Sequence, residues 1–241
     1  QNDPALESRA MYQLPIADPA KRGTVQYIPY TNVLGDDGYY LGVYLPAGYD
    51  PNREEPYKVV YLAHGYVGDE TDWMIPGNAP NILDNMIARG EIEPTVVVTM
   101  GNHFTPNPSG GMPLYDMTNA ADNLVQVILP FIEANFNVSN KPEGRAYAGF
   151  SMGGMTGGYV MRKYFTTFGY YAFCSGNPSL TAAEYDRFAE EAGAKVPFVF
   201  LGNGVFEGSL NAQNAIRDNF RARGIPSETA QVRGAHDMMT A

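Results

Sequence analysis

This chain of 241 residues is short of cysteine, histidine and positive charge. Cys174 is the only cysteine, so no internal disulfide can form; its place in the apolar run YYAFCSG reads as a buried core position. Histidine occurs three times, at His64, His103 and His236, so chemistry that needs an imidazole has three candidates. Sixteen Lys and Arg stand against 26 Asp and Glu, for a formal net charge of −10. No basic stripe is present, which argues against nucleic acid and anionic membranes as partners and fits a neutral substrate. Long apolar runs are missing too. VVV at 96–98 and VQVILPFI at 125–132 fall far short of a membrane span. No repeat of fixed period, no low-complexity linker and no signal peptide is visible. The opening, QNDPALES, is polar and fits a mature terminus left by processing.

What is present is an alternation. TVQYIPYTNV (24–33) and YYLGVYLPAGY (39–49), split by GDDG, read as an antiparallel pair. YKVVYLAHG (57–65), TVVVTMGN (95–102), GRAYAGF (144–150), YYAFCSG (170–176) and VPFVFLGNG (196–204) are nearly continuous apolar runs, as in strands covered on both faces. SETAQVRGA (227–235) is a last strand. Helical spacing marks 79–92, with Gly90 as a C-terminal cap, and 117–138, with an internal Pro130 that predicts a kink. It also marks 152–164 and 210–225. Strands alternating with helices predict an α/β fold, a mostly parallel sheet with helices on both faces and an antiparallel N-terminal edge. Chemistry in such sheets gathers on the loops at the carboxyl ends of the strands.

One of those loops holds GFSMG (149–153), which satisfies G-x-S-x-G between a strand and a helix. That arrangement forces Ser151 into a strained turn, with its hydroxyl above the sheet and the helix N-terminus beside it. A serine hydroxyl needs a base. In this topology the acid and then the histidine follow the serine, and only His236, in RGAHDMM, lies downstream. The first carboxylate after the strand VPFVFLGNG is Glu207, placed to hold the imidazole tautomer. Asp186, Glu190, Glu191 and Asp218 fall on helix-like segments and read as solvated faces; Asp237 is too close to His236 in sequence to reach its ring nitrogen. The oxyanion donors are the N–H groups of Met152 and Tyr66, the latter in the loop AHGYVGDETDW. His64 reads as a structural residue that ties this loop by hydrogen bonds. No metal and no cofactor is expected for such chemistry. NVS at 137–139 matches a glycosylation sequon and reads as chance.

YLAHGYVGDETDW, AGFSMGGM, GNGVFEGS and GAHD, in this order, resemble the esterase D-like branch of the α/β-hydrolases. Within that branch the chain is most similar to feruloyl and acetyl-xylan esterases of carbohydrate esterase family 1, over about residues 25 to 237. The resemblance implies an α/β-hydrolase fold and a serine carboxylesterase acting on feruloyl or acetyl esters of arabinoxylan through an acyl-enzyme. Ser151, His236 and Glu207 would be its triad, with Tyr66 and Met152 as oxyanion hole. The family's acid is commonly Asp, and this chain has Glu207 in its place. Members also carry a helix after the histidine, whereas here five residues follow His236, so the expectation is one domain over 1–241 lacking that helix. Secretion or a periplasmic location, and a place in a larger glycan-degrading enzyme, are further implications. Feruloyl recognition needs an apolar slot. Trp73, His103 and Tyr115, with Tyr66 and Phe104, fall in loops suited to it, although Trp73 reads equally as a core anchor. The same fold also serves acyltransferases, small-thioester hydrolases and non-catalytic carbohydrate-binding homologues.

Overall fold

Strands form where the apolar runs stand, trimmed at their ends by glycine and proline. The computed structural model describes residues 10–105, 109, 114–193 and 197–237. The opening QNDPALES, most of the loop 106–113 and the last four residues lie outside these. The strands are β1 (Thr24–Tyr30), β2 (Tyr39–Leu45), β3 (Lys58–Ala63), β4 (Thr95–Met100), β5 (His103–Thr105), β6 (Leu114–Tyr115), β7 (Arg145–Phe150), β8 (Tyr170–Cys174), β9 (Phe198–Gly204) and β10 (Ser227–Val232). Eight of them form one sheet in the order β1-β2-β4-β3-β7-β8-β9-β10. The first pair, β1 with β2, is antiparallel, and so is β2 with β4; every later pairing is parallel. The antiparallel N-terminal edge and the parallel body match the expected class.

The α-helices are α1 (Ala79–Ala88), α2 (Met117–Asn123), α3 (Leu129–Asn135), α4 (Met152–Tyr164), α5 (Ala182–Ala192) and α6 (Leu210–Arg221). Gly90, at φ 70°, follows the end of α1 in the left-handed region where a glycine cap belongs. Every residue of β4 is buried, because helices and loops cover both faces. On one face Val59, Tyr61, Val98, Tyr147 and Phe173 belong to the main core. On the other, Tyr44, Leu62, Trp73, Met74, Val97 and Phe150 form a smaller cluster.

Two elements differ from expectation. Residues 117–138 do not form one kinked helix. Helix α2 passes into a π-turn over Leu124–Ile128, where the Leu129 N–H bonds to the Leu124 carbonyl, and only then into α3. Pro130 explains the wide turn: it has no N–H to return to the preceding turn and its ring needs room there. The second difference is the hairpin of β5 and β6. It is too short and irregular to leave an alternating pattern, and it stands at the carboxyl end of β4.

Candidate active site

The parallel strands end on one side of the sheet, and the residues singled out from sequence gather there. Ser151 lies between β7 and α4 at φ 53° and ψ −116°, a conformation that L-residues rarely adopt. Contacts fix this turn on both sides. The Ser151 N–H donates to the Cys174 carbonyl at 2.8 Å, and the Met155 N–H donates to the Ser151 carbonyl at 3.1 Å. Close backbone approach does the rest. A Cβ on Gly153 would sit 2.4 Å from the Ala63 carbonyl oxygen, and one on Gly176 would sit 1.9 Å from that of Ser151. Only hydrogen fits at either place. Below, the buried Tyr147 hydroxyl donates to the Gly153 carbonyl at 2.6 Å.

His236 follows β10. Its Nε2 is 2.8 Å from Ser151 Oγ, and its Nδ1 is 2.9 Å from Glu207 Oε2. The ring rests against Phe150 at 5.0 Å between centroids. Backbone positions the segment: the Phe206 N–H donates to the Gly234 carbonyl, and Gly204 leaves space that a side chain would take from Gly234. Glu207 closes a single 3-10 turn, Val205–Glu207. Its Oε1 accepts from the Gly204 N–H at 2.7 Å and from Ser175 Oγ at 2.6 Å. Its side chain is only 10% exposed. Burial pushes the carboxyl up, but the hydrogen bonds from Ser175, His236 and Gly204 outweigh it and hold the pKa below the ordinary value. The Glu207 carboxylate is therefore ionised at neutral pH. Its bond to Nδ1 leaves the Nε2 lone pair facing the serine.

The two expected oxyanion donors border the same space. Met152 opens α4, so its N–H has no acceptor within the helix. A Cβ on Gly65 would lie 3.2 Å from Ser151 Cβ, which puts the Gly65–Tyr66 peptide beside the serine.

His64 is fully buried. Its Nδ1 lies 2.6 Å from the Gly65 carbonyl, and its Nε2 accepts the Asn102 N–H at 3.2 Å. Donor and acceptor are both used, so the ring is neutral. Burial, opposed in part by the Gly65 carbonyl, lowers its pKa to about 4. This is the structural role read from sequence.

The three expected substrate contacts, Trp73, His103 and Tyr115, pack against protein. Trp73 is buried within the smaller core cluster, and its Nε1–H donates to the Ala63 carbonyl at 3.1 Å. His103 is also buried, stacked on His64 at 5.2 Å and edge-on to Tyr115. The half-buried Tyr115 donates to the His64 carbonyl and meets the Thr156 hydroxyl at 3.1 Å. All three rings pack on protein, and the indole N–H and the phenol hydroxyl bond to it, while His103 Nε2 is buried with no hydrogen-bond partner among the described residues. The aromatics turned to solvent in this region are Tyr66 and, beside the acid, Phe206, 72% exposed. Sequence reasoning passed over Phe206 and Ser175. An aromatic directly before the acid, in GVFEGS, was the available signal for the first. Cys174 is half-buried rather than fully buried, and burial with the Glu207 charge raises its pKa to about 11, so the thiol stays protonated. Among the described residues, no cluster of three or more His, Cys, Asp or Glu is arranged to hold a metal, and no helix is long and apolar enough to cross a membrane.

Comparison with known proteins locates this geometry. A family model described as "Putative esterase" matches residues 36–239. An endo-1,4-beta-xylanase/feruloyl esterase of Xylanibacter ruminicola is 29% identical over 225 residues, 90% of this chain and 30% of that protein. Endo-1,4-beta-xylanase Y of Acetivibrio thermocellus is 37% identical over 161 residues, 61% of this chain and 14% of that one. The chain thus spans under a third of the length of either relative. The feruloyl esterase module from Clostridium thermocellum, solved with sinapinate, superposes with a TM-score of 0.80 over 95% of this chain and 87% of the module, at 24% identity. At that identity the likeness speaks for the fold: an eight-stranded, mostly parallel sheet of the α/β-hydrolase kind.

Proposed function

We propose a substrate and a mechanism on one premise: the chain belongs to the esterase family and is a carboxylic ester hydrolase. The substrate is a feruloyl ester of plant cell-wall polysaccharide, cleaved through a serine acyl-enzyme. One observation carries the mechanism, the hydrogen-bonded row from Ser151 through His236 to Glu207 at 2.8 and 2.9 Å, with the serine strained at a helix N-terminus. His236 Nε2 takes the Ser151 proton as Oγ attacks the ester carbonyl. The N–H groups of Met152 and Tyr66 hold the oxyanion. When the intermediate collapses, His236 passes the proton to the departing sugar alcohol. Water then repeats the sequence on the acyl-enzyme and frees the acid. Glu207 stays ionised throughout, holding the Nδ1–H and offsetting the imidazolium charge.

The choice of acyl group is supported by two relatives, one named in part as a feruloyl esterase and one solved with sinapinate. The exposed rings of Tyr66 and Phe206 offer apolar surface on which a phenylpropenoyl group would lie. The net charge of −10 suits a neutral ester and repels the anionic product. The lengths of the relatives support a place as one module of a larger xylan-degrading enzyme acting outside the cytoplasm, on a substrate too large to enter.

The test uses methyl ferulate, p-nitrophenyl acetate and S-formylglutathione, with Ser151→Ala beside the unaltered protein. Cleavage of methyl ferulate, reduced about 10⁴-fold or more in the alanine variant, is expected. Equal rates in both proteins would overturn the mechanism. Turnover of the thioester alone would keep the mechanism and overturn the substrate.

A further inference from the structure

Ser175 is, by the rule for such turns, in the wrong conformation. It directly follows β8 with φ 53°, one of four non-glycine residues with positive φ among those described, and it is not the proposed nucleophile. Glycine would take this position without strain. A serine held there points to work for its hydroxyl. That hydroxyl donates to Glu207 Oε1 at 2.6 Å, while its N–H is fixed on the Gly202 carbonyl at 2.7 Å. The next residue, Gly176, lies against the Ser151 carbonyl so closely that a Cβ there would be 1.9 Å from its oxygen. One dipeptide therefore touches the nucleophile's backbone with one residue and the acid's carboxylate with the other.

We propose that Ser175 is a positioning residue for the reaction, orienting Glu207 so that Oε2 meets His236 Nδ1. The proposal rests on the esterase mechanism above. Its logic follows from the length of the acid. Glutamate has one more rotatable bond than aspartate, and an unrestrained carboxylate on that stem would sample several orientations. Here Oε1 is pinned from two directions, by the Gly204 N–H and the Ser175 hydroxyl, and Oε2 is left for the histidine. Two donors in different directions fix a carboxylate plane, whereas one leaves it free to swing. Of these two donors, the Gly204 N–H belongs to the backbone and the Ser175 hydroxyl to a side chain.

Strain and hydroxyl are separable. Ser175→Ala keeps the strained backbone and removes the donor; Ser175→Gly removes both. Each is assayed with methyl ferulate and p-nitrophenyl acetate beside Ser151→Ala, and thermal unfolding is followed in parallel. The expected result is a fall in kcat of about 10- to 100-fold in both variants, with KM changed less than about threefold, because a charge-assisted hydrogen bond has been lost from the orienting group. Ser175→Gly should be at least as stable as Ser175→Ala and no more active. Recovery of kcat in Ser175→Gly would assign the effect to backbone strain and overturn the proposal. So would a kcat within about twofold of the unaltered protein in both variants, while Ser151→Ala is inactive. Full activity of Ser151→Ala would remove the mechanism, and the proposal with it.

Discussion

Two histidines stand at the same edge of the sheet, one on either side of Ser151. His64 follows β3 and His236 follows β10, and in the sheet β3 flanks one side of β7 and β8 flanks the other. His236 keeps half of its side chain in solvent and turns its two ring nitrogens to a hydroxyl and a carboxylate. His64 is fully enclosed and turns both of its nitrogens to backbone. An imidazole facing ionisable partners at a wet surface can accept a proton and return it. One satisfied by backbone in a dry site can do neither at neutral pH. The residue type set the possibility, and its surroundings decide the use.

The largest effect should come from breaking the His236 side. In Glu207→Gln the amide oxygen can keep the Gly204 and Ser175 donors, but the amide NH₂ then faces Nδ1. The imidazole must present its lone pair there and its N–H to Ser151, which is the wrong tautomer for a base. Turnover of methyl ferulate should drop about 10³- to 10⁴-fold with little change in Tm. An unchanged rate would mean that another carboxylate serves.

The His64 side should appear as stability against pH. Its folded pKa of about 4 lies below the ordinary 6.5, so between these values the unfolded chain binds the proton and the folded chain does not. Stability from this residue is complete above about pH 6.5 and declines as the pH falls, by up to about 3 kcal/mol near pH 4. Glu207, also lowered, and His103, lowered by burial, act in the same direction. Urea unfolding at pH 7, 6, 5 and 4.5 would measure it. A flat profile would show that His64 is not held neutral.

The smallest effect should come from Tyr115→Phe, which removes the hydroxyl behind His64 and Thr156. A loss of about 1 kcal/mol and of about 2–4 °C in Tm is expected, with kcat nearly unchanged. A large fall in kcat instead would place Tyr115 in contact with substrate.

The sequence was most legible where one pattern had one physical meaning. Apolar runs became β3, β4, β7, β8 and β9 because only a sheet covered on both faces uses them. Ser151 was legible from its glycines and flanking elements, and chain order reduced the histidine to one candidate. Glu207 followed from its place after β9. The loop aromatics were not legible. Trp73 and Phe206 both sit in loops rich in small and polar residues, yet one is core and the other is exposed; loop composition does not say which way a ring points. Ser175 looked like the end of a strand, since neither its positive φ nor its carboxylate partner 32 residues away leaves a local pattern. The π-turn before Pro130 was half-legible: proline announces a disruption without saying which.

The glycines around Ser151 have a consequence for anyone who would redesign this protein. Gly149, Gly153, Gly154 and Gly176 leave no room for a methyl group, so backbone meeting backbone dictates the serine's position. That hub is indifferent to what decorates its rim. Tyr66, Val67, Val205 and Phe206 are exposed and can be varied together in a library, to admit bulkier or more polar acyl groups, while the reacting atoms keep their spacing. Diversity belongs at the rim, and every glycine of the hub should be left alone.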